Sequence, residues 1–261
     1  MIGQKYLKKY VQTLIDEDNF PRFSIFVGPK GSGRKRFLRE YFEGIYPEDN
    51  KVDSIRKIID MAYKVAHKTF IIPDADDMSN AAKNALLKVV EECPNDNYFI
   101  MTLEDEVNTL VTIRSRAQIF YMDMYFPKDL RDYAYTLGIK DVEELKIIAD
   151  VCTTPGDVNV LCKQGVKDFY DYTKLVFENV ADVSLANALK IPDKLALKDG
   201  DDGYDLRLFL RMFMSLCIAN QVNARWVEYT SRCLTKMRIK GLNKQMLLDT
   251  WILSLRGLIT V

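Results

Sequence analysis

The chain has 261 residues, room for one large domain or two to three small ones, and its 48% hydrophobic content with few glycines and prolines argues against wholesale disorder. Lys plus Arg and Asp plus Glu each number 37, so there is no global basic field, and any nucleic-acid contact must come from a local patch or from partner subunits. Cys93, Cys152, Cys162, Cys217 and Cys233 form no C-x-x-C pair, and the lone His67 has no ligand neighbour at metal spacing. This argues against a metal site and against a disulfide framework, and suits a reducing compartment. The N-terminus lacks a signal-type apolar core and no apolar run approaches membrane-spanning length, so a cytoplasmic protein without membrane contact is expected.

Met1–Asp16 opens as an amphipathic helix, with Leu7, Val11, Leu14 and Ile15 at helical spacing. Phe23–Val27 is a short buried strand that runs into a glycine loop, after which Phe37, Leu38, Tyr41 and Phe42 mark a helix. Gly44–Asn50 reads as a polar loop, and Val52, Ile55, Ile59, Ala62, Tyr63 and Ala66 as the next helix. Thr69–Ile72 is a strand; Asp76 and Asp77 after it read as caps of the following helix. That helix starts at Ser79, carries Ala82, Ala85, Leu86, Val89 and Val90, and is closed by Cys93-Pro94. Tyr98–Thr102 and Gln118–Met122 are two further strands. Strands alternating with helices predict a parallel sheet covered on both faces.

The pattern changes after Phe126-Pro127. Lys128–Leu137, Val142–Cys152 and a piece following Thr154-Pro155-Gly156 read as small helices, and from Val166 onward the chain reads as all-helical. Asp201-Asp202-Gly203 marks a loop before Leu206–Cys217, whose nearly continuous apolar run predicts a buried helix.

Gly28-Pro29-Lys30-Gly31-Ser32-Gly33, between a strand and a helix, has the setting of a phosphate loop. Its glycines let backbone N–H groups turn toward phosphate, and the following helix adds its positive end. A hydrolytic loop continues with Lys and then Ser/Thr, the latter for Mg²⁺; here Arg34 and Lys35 stand in those places, and Lys35 has no lone pair for a metal. A magnesium-linked Asp at the end of the second strand is expected in a working site, followed by a Glu that polarises water. Pro73 falls on the first position and Asp74 on the second, one methylene too short. Two independent losses predict a site that does not hydrolyse ATP.

Asp74-Ala75-Asp76, Asn84-Ala85-Leu86-Leu87-Lys88, Glu91-Glu92-Cys93-Pro94, Thr102 and Thr112-Ile113-Arg114-Ser115-Arg116 together resemble the AAA+ clamp-loader family, in its delta-prime branch. Ile2-Gly3-Gln4 and Val52-Asp53-Ser54-Ile55-Arg56 extend the resemblance, which covers roughly residues 1–125. It implies an α/β AAA+ domain (1–126), a small helical lid (127–165) and an all-α collar (166–261) that joins subunits into a hetero-pentamer. Such an assembly loads a sliding clamp onto primer–template DNA with ATP. The family's Ser-Arg-Cys motif supplies an arginine finger to the adjoining subunit; Ser115-Arg116 match it, with Ala117 in place of Cys. The resemblance assigns Gly28, Gly31, Gly33, Arg34, Lys35, Asp74 and Thr102 to a degenerate nucleotide site that requires no cofactor; passive ATP or ADP binding there stays open. Asp157, Val158 and Asn159 stand where active relatives carry a second, nucleotide-sensing arginine.

Contact with DNA is expected at backbone phosphate, because a loader acts on any sequence. Arg56 and Lys57, near a helix start, are the candidates, against the alternative of an ordinary solvated face beside Asp53 and Asp60. Leu206–Cys217 and Met246–Leu258 are the expected collar contacts. Two other readings compete with a non-catalytic subunit: an active AAA+ ATPase whose unusual loop still works, and a scaffold or adaptor that kept only the fold. Pro73 and Lys35 count against the first, Ser115-Arg116 against the second.

Overall fold

The computed structural model describes residues 2–197, 202–222, 224–237, 239 and 241–258. It divides into two compact units, Met1–Tyr125 and Phe126–Val261. The first runs α1 (Lys5–Asp16), β1 (Phe23–Val27), α2 (Arg34–Tyr41), β2 (Gly44–Ile45), α3 (Val52–Ala62), β3 (Thr69–Ile72), α4 (Asn80–Glu92), β4 (Tyr98–Leu103), α5 (Val111–Arg114) and β5 (Gln118–Tyr121). Its five strands lie in the order β2-β3-β4-β1-β5, and every neighbouring pair is parallel.

All five residues of β1 are buried, as a strand covered on both faces requires. The side chains alternate between two cores. Ile25, Val27, Phe70, Ile72, Phe99 and Met101 face Ile55 of α3 and Leu86 and Val89 of α4. Phe26, Ile71, Ile100 and Phe120 face Leu7 and Val11 of α1 and Phe37 and Leu38 of α2. The two-residue periodicity of the strands and the helical spacing of their partners thus meet across both faces.

Four sequence expectations are corrected here. Gly44–Asn50 is not wholly a loop: Gly44 and Ile45 pair with Thr69 and Phe70 as the edge strand β2. A side chain at Gly44 would come within 2.4 Å of Ile71 Cδ1, so glycine lets the edge strand close on β3. Helix α3 stops at Ala62 instead of Ala66, because buried Asn97 takes over its end. Asn97 Nδ2 donates to the carbonyls of Ala62 (2.8 Å) and Val65 (2.9 Å), while its Oδ1 accepts from Lys68 N (2.8 Å). Asp76 does not cap α4; Ser79 Oγ does, accepting from Ala82 N at 3.2 Å. The buried Asp76 carboxylate instead accepts from Glu104 N (2.8 Å) and Asn108 Nδ2 (2.9 Å), tying the end of β3 to the segment after β4.

The second unit comprises α6 (Pro127–Thr136), α7 (Val142–Val151), α8 (Pro155–Gln164), α9 (Val166–Asn179), α10 (Leu185–Ala188), β6 (Leu195–Ala196), β7 (Tyr204–Asp205), α11 (Leu206–Ala219), α12 (Ala224–Lys236) and α13 (Lys244–Leu255). The fourth correction is that it is mostly, not wholly, helical: β6 and β7 form a two-residue parallel bridge. Of the loop read before α11, Asp202 and Gly203 are bends, while Asp201 lies outside the described residues.

Helix α11 is the hub of this unit and packs on α7, α9 and α12. Leu206, Leu208, Phe209, Leu210, Met212, Phe213, Leu216 and Cys217 are all buried on it. Phe213 meets Trp251 of α13 edge-on at 4.9 Å between ring centroids, and Trp251 Nε1 donates to Thr230 Oγ1 of α12 at 3.0 Å. The apolar run Leu206–Cys217 is therefore spent on the chain's own core. On α13 and just after it, Met246 and Leu258 keep exposed side chains.

Candidate functional site

The glycine loop leaves the carboxyl end of β1, which β4 and β5 flank in parallel. In such sheets the crevice beyond the strand ends is where ligands bind. Gly28 N donates to Leu103 O of β4 at 3.0 Å, and a Cβ there would sit 2.6 Å from Met122 Cγ, so the loop starts wedged between its neighbours. Gly33, at φ 88°, turns the chain into α2 in a left-handed conformation that favours glycine. Tyr125 OH donates to Ser32 O at 2.7 Å and fixes the loop from behind.

The structure brings the loop cations and the strand-end acid together. Lys35 Nζ lies 2.6 Å from Asp74 Oδ2, and Arg34 Nη2 lies 3.2 Å from Asp74 Oδ1. Arg34 is buried although charged, and Asp74 is its ion-pair partner. Asp74 is held for this contact in a left-handed backbone conformation, φ 49° and ψ 48°, its N–H donating to Thr102 Oγ1 at 2.8 Å. Thr102 is fully buried at the end of β4. Asn50 Nδ2 donates to the carbonyls of Pro73 (2.9 Å) and Asp74 (3.0 Å), pinning the same turn from the other side. Sequence reasoning did not find Asn50; it lies in an unstructured-looking stretch, and only the fold carries it to β3.

The family resemblance implies a magnesium-nucleotide site at this place. The donor set here does not fit that group: Lys35 and Pro73 offer no side-chain oxygen, and the Asp74 carboxylate is taken by two cations. Among the described residues no cluster of His, Cys, Asp or Glu is arranged to hold a metal ion.

Arg116 lies in a different place. It follows α5 and precedes β5, on the amino side of that strand. Because β5 pairs in parallel with β1, Ser24 opposite Gln118 and Val27 opposite Tyr121, the glycine loop is at the far end of the adjacent strand. Four residues of strand from Ser24 to Gly28 correspond to about 13 Å at the usual rise. Arg116 Nη1 donates to Thr112 O at 2.8 Å, and Nη2 pairs with Glu91 Oε2 of α4 at 3.3 Å. Ser115 Oγ donates to Thr112 O at 3.2 Å. Arg114 pairs loosely with Glu106, 3.9 Å away, which also accepts from Tyr121 OH at 2.7 Å. Glu91 is a second residue that sequence reasoning did not single out.

Arg56 and Lys57 are exposed on the first turns of α3, whose N-cap residue makes no side-chain capping bond among the described residues. Each has a carboxylate nearby: Arg56 with Asp53 at 3.7 Å, Lys57 with Glu48 at 3.2 Å. Both pairs are solvated and contribute little.

Residues 47–125, which span β3, α4, β4 and the Arg116 segment, match the family described as DNA polymerase III, delta subunit. Over this stretch the chain is similar to clamp-loader subunits. Over 84 residues it is 36% identical to DNA polymerase III subunit delta' of Yersinia pestis, covering 29% of this chain and 25% of that one. Over 109 residues it is 34% identical to DNA polymerase III subunit gamma of Buchnera aphidicola subsp. Schizaphis graminum, covering 38% of this chain and 30% of that one. The chain thus spans a quarter to a third of the length of these proteins, and subunits of both names match it. In fold it is similar to the Thermotoga maritima RuvB Holliday junction branch migration motor, with a TM-score of 0.53 at 16% identity over 98% of this chain and 88% of that one.

Proposed function

We propose that this chain is a non-catalytic, delta-prime-like subunit of a clamp loader, and that Arg116 acts in trans on the ATP site of a neighbouring subunit. The observation that carries this reading is the opposite placement of Arg116 and the glycine loop on adjacent parallel strands. An arginine so placed serves a phosphate on another chain rather than its own. Ser115 positions the turn before it. The self-paired cluster of Arg34, Lys35 and Asp74 supports a subunit that leaves hydrolysis to others. In this reading 127–165 form the lid and 166–261 the collar of a hetero-pentamer. The assembly loads a sliding clamp onto primer–template DNA during replication, with Arg56 and Lys57 contributing phosphate contacts.

Arg116 would stabilise charge on a transferring γ-phosphoryl group, an effect worth about 10³–10⁵ in rate in other phosphoryl-transfer systems. The test is DNA-stimulated ATPase of the complex reconstituted from this chain and its cognate loader subunits, with wild type and Arg116→Ala compared. A fall of about 10³ with assembly intact, and no turnover by this chain alone, is the expected result. Unchanged turnover in an intact complex would leave the scaffold reading, and turnover by the isolated chain would establish the active-ATPase reading.

A further inference from the structure

Helix α1 buries Leu7 and Val11 and leaves a stripe of charge and aromatic surface outside. Lys5, Tyr6, Lys9, Tyr10, Asp16 and Glu17 are exposed at helical spacing, basic at the start of the helix and acidic at its end. Tyr6 is 85% exposed, a large ring left without cover. Lys8, on the flank, is paired with Glu40 at 2.7 Å, but no ion pair joins Lys5, Lys9 or Glu17 to another group among the described residues. Beside the acidic end lies an open cleft of about 450 Å³, lined by Tyr10, Leu14, Asp18, Asn19, Tyr98 and Gln118. Arg22 also borders it, yet its guanidinium is spent within the chain, 4.5 Å from the centroid of the Tyr98 ring and 3.1 Å from Asp96 Oδ1.

We propose that α1 is a self-complementary docking surface whose occupant is a second copy of this chain. The helix has 12 residues, about 18 Å at the helical rise, and its midpoint falls between Tyr10 and Val11. A twofold axis there lays two α1 helices antiparallel, with the basic start of each against the acidic end of the other. Lys5 of one copy then meets Asp16 and Glu17 of the other, with Lys9 one turn behind, and the helix dipoles oppose each other. The other copy's Tyr6 arrives opposite Leu14 and Ile15, at the mouth of the cleft. Its ring packs on Tyr10 and Tyr98, and its hydroxyl reaches the amides of Asn19 and Gln118. Charge complementarity carries the choice of a second copy: a partner of one sign matches only half of the stripe. This inference uses neither Arg116 nor the glycine loop, and stands or falls apart from the clamp-loader reading.

The experiment is sedimentation equilibrium of the full chain at concentrations up to about 1 mM, in low and in high salt. The expected result is a mass that rises with concentration from 30.2 kDa toward twice that value, with association weakened about tenfold in high salt. Tyr6→Ala, at a position too exposed to matter for folding, abolishes the rise. Lys5→Glu with Lys9→Glu, and separately Asp16→Lys with Glu17→Lys, each stay monomeric alone, and an equimolar mixture of the two associates. That rescue also excludes a folding defect in either variant. A wild-type chain that stays at 30.2 kDa throughout, a dimer indifferent to Tyr6→Ala, or a mixture that remains monomeric would overturn the proposal.

Discussion

Asp157 and Arg211, 54 residues apart in sequence, form an ion pair at 2.8 Å around a carboxylate that is 1% exposed. Arg207 Nη2 reaches the same carboxylate at 3.1 Å, and Thr153 N, Thr153 Oγ1 and Thr154 N donate to it from 3.0 to 3.2 Å. Where the resemblance places a nucleotide-sensing arginine in active relatives, this chain has an acid that joins α8 to α11. Asp157→Ala removes the acidic half of the capping box that Thr154 opens on α8 and strands two half-buried guanidinium groups, and should destabilise the second unit by about 3 kcal/mol. Urea unfolding measures this; a shift below about 1 kcal/mol would show that water replaces the carboxylate.

Arg116 is largely a surface residue, and its pair with Glu91 lies in solvent, with side chains 36% and 60% exposed. Arg116→Lys keeps the charge and should leave stability within about 0.5 kcal/mol. A lysine presents a point charge where a planar fork is needed, so turnover of the reconstituted complex should still fall at least about tenfold. Full activity in the lysine variant would mean that charge alone suffices.

Arg56 and Lys57 offer a separate test, through salt. If they contact phosphate in the assembled complex, Arg56→Gln with Lys57→Gln weakens DNA binding for all sequences alike. It also lowers the slope of log K against log salt by about 1 for each phosphate no longer neutralised. An unchanged slope would return both residues to the solvated surface of α3, paired with Asp53 and Glu48.

The cysteines predict a pH dependence. Burial pushes the Cys233 thiol up to about 12 and Cys217 up to about 11; Cys152 is raised further, by burial first and then by the charge of Asp157. An unfolded cysteine ionises near about 8.5, so the unfolded state releases these protons first. Their contribution is full below that pH and is lost as pH rises through the folded values. Stability should therefore fall from about pH 8.5 up to about pH 12, and fall less in a variant with Cys217→Ala and Cys233→Ala. Cys93 and Cys162, which are only partly buried, should react with an alkylating reagent before the other three.

Much of the first unit was legible in the chain itself. Phe23–Val27 and Thr69–Ile72 are strands with the boundaries their apolar runs suggest, and Ser79 and Cys93-Pro94 bracket α4 as local capping chemistry requires. That Lys35 and Pro73 offer no side-chain oxygen to a metal was also legible, whatever the fold. These are local properties, set by side-chain shape, backbone preference and the period of burial.

The rest depended on residues far apart in sequence. Gly44–Ile45 is too short to register as a strand and becomes one only by pairing with β3; β6 and β7 likewise exist only as each other's partner. Asp76, read as a cap, is drawn to Glu104 and Asn108 because the fold delivers two donors that the local chain does not. The apolar face of α11 was available to a partner or to the chain's own core, and packing gave it to the core. The sequence by itself determined which chemistry the glycine loop and the Ser115-Arg116 turn hold. The tertiary structure alone decided that Asp74 closes on Arg34 and Lys35, and that Arg116 faces away from them, because only the parallel register of β1 and β5 sets those two turns at opposite ends of the sheet.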